Sequence, residues 1–471
     1  MIEHIIYLSP LLTLLFGIFG MLIFERNNTN YLRCFHIARL TLLVSFFLGI
    51  VFYNKALLPT ITQGSHFTLL FESLLYLCAF TVLYLSKKWF ATMNGNGYLF
   101  CCGIFMVVLC GCLLIESHNL LLTVSVIILL MLNNYMLLLN FQRKKEYVMS
   151  TKTYMIIMFV CWGMMAAALA LLYCYSHDFS YEALRADLGL YQDNPIIFAA
   201  FAALIVNFIF LLGIAPLHFW FTEALSETIL PVIIYFTLVP IVACIGCFIE
   251  LNIYVLPPLS DRFKLFYECI GLLSVGVGAV GACSVQNIRK IFAYGAVYHL
   301  GVLLLVLHHF SLQAVDAAFV YLFVYLLAMG GICATLFGLK IKGEYLVMVQ
   351  DFAGAAYKRP YISAVMTMLI FSLLGVPPFL GFLGSFSAFS RLAVYNLYEL
   401  VYVLFMTLLL AYAYIQIVRV LYFEEGKAVF DRADKGIYMV MFLNVLLMLT
   451  IMVKPQYLVE DFVVMIEKVF E

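Results

Sequence analysis

Residues 361–387 read YISAVMTMLIFSLLGVPPFLGFLGSFS. The run carries no charged side chain, and it exceeds the roughly 20 apolar residues that a helix needs to cross a bilayer. Yet Gly375, Pro377, Pro378, Gly381 and Gly384 stand in its middle. Proline removes a backbone hydrogen bond and kinks a helix. Non-helical backbone at membrane depth is tolerated only where protein or a water-filled cavity surrounds it. The segment therefore predicts a membrane span broken near its centre and held inside a bundle. Broken spans often border ion or substrate paths; the plainer reading is a packing kink.

The rest of the chain agrees. Of its 471 residues, 65% are hydrophobic and 11% charged, with a mean hydropathy of +1.06. Soluble domains carry about 25% charged residues, and no soluble core hides this much apolar surface. Apolar runs between polar punctuation predict spans at 5–24, 38–54, 67–86, 98–115, 119–140, 154–175, 195–217, 229–250, 266–285, 290–310, 317–341, 361–387, 397–423 and 437–453. The fold class expected is an all-α polytopic membrane protein of about 14 transmembrane helices. Pro216 near the end of the seventh span and Pro240 within the eighth predict further breaks. A short amphipathic tail after Lys454 is expected on the membrane surface. No cleavable leader is expected, since the first run is long enough to span and lacks a basic start.

Charge tests this map. Most of the 26 Lys and Arg residues fall in one set of alternate loops, among them Arg26, Arg33, Lys87, Lys88, Arg143, Lys144, Lys145, Lys358 and Arg359. The other set holds Lys55, Arg185, Arg262, Lys264, Arg391, Lys454 and Lys468. A miscounted helix would scramble such a bias, so it supports an even number of spans with both termini outside. Net charge is zero, which argues against nucleic acid as a partner. The 13 cysteines are scattered through apolar runs, and Cys244 with Cys247 lies mid-span with no second pair nearby, a pattern of packing rather than metal or redox use.

Four segments are distinctive: Gly213-Ile-Ala-Pro-Leu-His-Phe-Trp220 continuing through Glu223 to Pro231-Val232, Gln286-Asn-Ile-Arg-Lys-Ile-Phe-Ala-Tyr294 with Tyr298-His-Leu-Gly301, Asp351-Phe-Ala-Gly354 with Arg359-Pro360, and Ser372 through Phe386. In this order and spacing they resemble the antiporter-like membrane subunits of respiratory complex I, the NADH-quinone oxidoreductase, most of all subunit N. The likeness runs from about residue 65 to 425. It implies two inverted five-helix repeats, at 98–250 and 266–423, each with a broken helix, after N-terminal helices in 1–97 and before a last helix and tail in 437–471. It implies a non-redox subunit of a proton-pumping translocase, with no cofactor of its own, other membrane-arm subunits and phospholipids as partners, and a bacterial inner-membrane location, or mitochondrial if organelle-encoded. It gives Pro216, His218, Trp220, Pro377 and Pro378 structural roles.

The resemblance also implies four buried proton sites: a Glu in the fifth span and a Lys in each of the seventh, eighth and twelfth. A buried lysine has a lowered pKa and can take and release a proton. Aligned on the Pro, His and Gly landmarks, these positions hold Ile128, Leu211, Ile241 and Ser385 here. Ile and Leu relay no protons, and Ser is no protonatable carrier at pH 7. The proton path of its own is therefore expected to be degenerate. The candidate path residues that remain are His299, Arg289, Lys290, Glu72, Asn207 and Asn133. His299 titrates nearest neutrality. The plainer readings are interhelical hydrogen bonds for the Asn residues, and contact with lipid phosphate or carbonyls for Arg289 and Lys290. The alternatives are a subunit of a related membrane-bound hydrogenase or cation/proton antiporter complex, or a channel still conducting through His299 and water.

Overall fold

The computed structural model describes residues 9–25, 31–52, 66–93, 96–142, 149–191, 193–426 and 429–455. The tail expected after Lys454 falls almost wholly outside them, as do Arg26, Lys55, Arg143 to Lys145 and Lys468.

The described chain is helical nearly throughout. Its helices are α1 (Ser9–Glu25), α2 (Tyr31–Phe52), α3 (His66–Met93), α4 (Gly97–Ile115), α5 (Leu120–Asn140), α6 (Met149–Ser176), α7 (Tyr181–Leu190), α8 (Pro195–Leu212), α9 (Phe219–Glu227) and α10 (Leu230–Tyr254). They continue with α11 (Ser260–Ser284), α12 (Ile288–Leu307), α13 (Leu312–Gly338), α14 (Ala355–Lys358), α15 (Pro360–Leu373), α16 (Gly381–Tyr395), α17 (Leu397–Phe423) and α18 (Lys435–Val453). Twelve of them are long and apolar enough to cross a membrane. The shorter apolar α1 falls on the first expected span, and α15 with α16 on the broken twelfth. The fourteen-span reading thus stands as an approximate count for an all-α membrane protein.

Polar residues punctuate the apolar runs by capping. Asn119 accepts hydrogen bonds from the amides of Leu121 and Leu122 at 3.0 and 3.4 Å to start α5. Asn287 starts α12 through the Arg289 amide at 3.0 Å, and Asn396 starts α17 through that of Tyr398 at 3.1 Å. Each satisfies amides that have no partner in the first helical turn.

The chain divides into two compact units. The first takes in the described residues up to Leu212 and then 227–263. Its centre is α10, packed by α3 and α4 and buried at every residue from Leu230 to Asn252. The second takes in 213–226 and the chain from Lys264 onward. Its centre is α13, packed by α15, α16 and α18. Lipid is as apolar as these side chains, so close packing and interhelical hydrogen bonds, rather than exclusion of water, hold such helices together.

Two expected breaks are present and one is not. α8 ends at Leu212, short of the expected 217, where Gly213 takes a φ of +66° and the Ala215–Pro216 bond is cis. α15 ends at Leu373 and α16 starts at Gly381. Between them Gly375 has a φ of +70° and Pro377–Pro378 is cis. The eighth span, by contrast, does not break at Pro240: α10 runs through it unbroken. One proline withholds one amide, and packing on all sides holds the helix in line where its ladder is short. Pro240 and its neighbours Val239 and Ile241 are all buried.

Candidate functional site

The four positions where the resemblance places titratable groups lie in unlike surroundings. Ile128 sits half-buried on α5. Leu211 on α8 and Ile241 on α10 are 3% and 1% exposed, in apolar runs. Ser385 lies in the first turn or so of α16, beside the break. A Cβ on Gly375 would come 2.4 Å from the Ser385 hydroxyl, and one on Gly381 would meet the Ser372 carbonyl at 1.5 Å. The Gly381 amide donates to the Ser372 hydroxyl at 3.0 Å. The glycines therefore let the two half-helices close on each other across the break.

That closure shapes a small cavity of about 10 Å³ in the second unit, lined by His299, Tyr321, Tyr325, Ser372, Gly384 and Ser385 among others. Two residues singled out from the sequence for opposite reasons, His299 and Ser385, thus face the same space. His299 is 4% exposed. Its Nδ1 bonds the Tyr321 hydroxyl of α13 at 2.8 Å, and its Nε2 has no protein partner. Buried polar atoms are normally satisfied, and His299 Nε2 is an exception. The rings of Tyr298 and Tyr325 flank the imidazole at 5.3 and 5.2 Å.

The other candidates are scattered. Lys290, in the first turn of α12, is held by both carboxylate oxygens of Glu223 on α9 at 2.8 Å. This corrects the expected lipid or carbonyl contact for Lys290, since a carboxylate claims its ammonium. Arg289 is buried at 3% exposure. In the first unit Asn133 donates to the Tyr235 hydroxyl at 3.4 Å, and that hydroxyl donates to Asn134 at 2.5 Å. Asn207 turns back on its own helix, donating to the Ala203 carbonyl at 2.7 Å. The interhelical role expected for the asparagines holds for Asn133 and Asn134, which reach α10, and not for the amide of Asn207. His218 is 7% exposed and Trp220 1%. A Cβ on Gly213 would meet the Phe221 ring at 2.6 Å, so the Pro216 turn is folded tightly onto α9.

Glu72 has a partner that sequence reading missed. Its carboxyl shares a hydrogen bond with that of Glu116, at the end of α4, beside Tyr76 and Cys112, whose side chains meet at 3.4 Å. Burial holds the Glu116 carboxyl above the usual carboxylate range, while the bond from Glu72 pulls the other way. Next to them Ser117, Thr123 and Tyr181 form a hydroxyl cluster, with bonds of 2.9 and 2.7 Å to Thr123. Glu116 closes an apolar run, where a lone acid reads as an interfacial residue; only the packing of α3 on α4 shows the pair.

Known proteins bear on this arrangement. Residues 117–411 match the family described as NADH:quinone oxidoreductase/Mrp antiporter, transmembrane. An NADH-quinone oxidoreductase subunit N from Paramagnetospirillum magneticum is 27% identical over 276 residues. That match spans 57% of this chain and 57% of the relative's length. A chain of respiratory complex I from Thermus thermophilus has the same fold, at a TM-score of 0.82 and 20% identity, over 96% of this chain and 98% of that one. So has a chain of the Mrp complex from Dietzia sp. DQ12-45-1b, at 0.83 and 15% identity, over 99% and 97%. The matched region runs from the hydroxyl cluster at Ser117 through the broken span to the middle of α17, and this chain belongs to the NADH:quinone oxidoreductase/Mrp antiporter transmembrane family.

Proposed function

We propose that the chain is a subunit N-like membrane-arm component of an NADH:quinone oxidoreductase-type pump whose own proton path is degenerate. The observation that carries this is Leu211 with Ile241: both are buried and apolar where the resemblance places lysines. Moving a proton through such packing would need a charge carrier, and bare charge in an apolar interior costs several kcal/mol or more. The repeat at 98–250 then serves as scaffold. The repeat at 266–423 keeps a polar remnant around His299, which need not relay protons. On this reading the chain carries no cofactor, the redox chemistry belongs to its partners, and those partners are other membrane-arm subunits and phospholipids of a bacterial cytoplasmic membrane. The fold shared with an Mrp complex supports a second reading, a subunit of a cation/proton antiporter complex.

The test is purification of the tagged chain from its native membranes, followed by proton pumping in inverted vesicles. NADH:quinone reductase activity should travel with the chain. The ratio of protons pumped to NADH oxidised should be unchanged by His299→Gln. A fall in that ratio with assembly intact overturns the degenerate-path reading. Sodium/proton exchange travelling with the chain, without NADH oxidation, overturns the assignment to the oxidoreductase.

A further inference from the structure

The turn between α12 and α13 brings His308 and His309 against Glu399, in the first turn of α17, all within the second unit. One ligand atom from each lies within 4.8 Å of the others. We propose that these three residues form a binding site for a transition-metal dication of the zinc type.

Three observations carry the proposal. First, the donor set is two imidazoles and one carboxylate, which suits zinc with one coordination position left open. Second, the ligands are oriented from behind. His308 Nδ1 faces the Leu305 carbonyl, which leaves Nε2 directed at Glu399 Oε1, 3.7 Å away. Asn396 donates to Glu399 Oε1 at 2.7 Å, and the Tyr395 ring stacks on His309 with centroids 3.9 Å apart and planes 16° apart. Fixing ligands through a second layer of contacts is what metal sites require. Third, donor atoms are left over: Glu399, 3% exposed, has Oε2 without a partner, and His309 Nε2 has none either. Lys264 and Glu268 of α11 also lie near His308. An unbridged His308–Glu399 contact explains none of the unpaired atoms. A bound ion would tie the end of α12 to the start of α17.

The experiment uses the purified full chain in detergent, stripped with a chelator and dialysed. Cobalt(II) is titrated and followed by its visible ligand-field spectrum, and zinc is then counted by mass spectrometry. One metal per chain is expected, with displacement of cobalt by zinc. His309→Phe keeps the ring stack on Tyr395 and removes the donor, so it should abolish the cobalt spectrum while the metal-free chain keeps its thermal stability. Asn396→Ala should weaken binding about tenfold, the effect of losing an orienting partner. His36→Gln, remote in sequence and in the other unit, should leave binding unchanged. Binding by His309→Phe as tight as wild type, or no metal held by wild type above the level in a His308→Ala/His309→Phe double variant, overturns the proposal.

Discussion

Replacing Tyr321 by Phe removes one oxygen atom from the second unit and nothing else. That oxygen bonds His299 Nδ1 at 2.8 Å across α12 and α13, and both side chains are buried at 5% exposure or less. With His299 Nε2 already lacking a protein partner, the substitution leaves the imidazole with none. An unsatisfied buried group costs about 1–3 kcal/mol, while interhelical hydrogen bonds measured in membranes average about 0.6 kcal/mol. A loss of about 1 kcal/mol is therefore expected, or about fivefold in the unfolding equilibrium. Tyr325 is the control. Its ring lies against the same imidazole, but its hydroxyl has no protein partner. Tyr325→Phe should be neutral or slightly stabilising, because it removes a buried polar atom that bonds nothing. The assay is reversible unfolding in bicelles by steric trapping. In a His299→Phe background the cost of Tyr321→Phe should vanish, since the pair then has no bond to lose. Equal losses for Tyr321→Phe and Tyr325→Phe, or an undiminished loss in the double variant, would refute the His299–Tyr321 link.

Three further outcomes are expected. Asn119→Ala should cost about 1 kcal/mol, the usual worth of an N-cap, seen as a lower melting temperature of the purified chain; no shift would show that the cap is replaced by solvent. His118, in the turn between α4 and α5, has its pKa lowered by burial from 6.5 to about 4. Its neutral form thus contributes stability that is complete above about pH 6.5 and lost as pH falls toward 4, up to about 3 kcal/mol; melting curves across that range should flatten in His118→Phe. Gly381→Ala places a methyl against the Ser372 carbonyl and should cost at least about 3 kcal/mol, read as loss of folded protein in membranes, whereas Gly49→Ala, with open space around it, should fold normally.

The fold was legible because a bilayer leaves few choices. Every backbone group in a span must pair within its helix, so apolar length and capping residues such as Asn119 and Asn287 locate the elements. The break at Gly375–Gly381 was legible for the same reason: glycines and prolines together deny the helix its ladder. Pro240 misled, because a single proline leaves the decision to its neighbours, and these are not visible in one stretch of chain. The candidate site divided along the same line. His299 and Ser385 could each be named from the sequence, but they are 86 positions apart, and only the closure of α15 on α16 puts them around one cavity. Glu116 was missed because it ends an apolar run, where an acid reads as a surface residue. Its pairing with Glu72, and that of Glu223 with Lys290, are set by which helices pack, a tertiary fact with no local signature.

The burial of α10 has a consequence for how the protein is made. Its 25 residues are among the most apolar in the chain, so during synthesis it is well suited to leave the translocation machinery as an independent span dissolved in lipid. In the finished protein almost none of its surface touches lipid. Each acyl chain around it must be exchanged for a side chain of another helix. A lesion such as Ile241→Ala would then leave insertion intact and be felt only at that exchange, as a protein that reaches the membrane, counts its spans correctly and stalls before assembly.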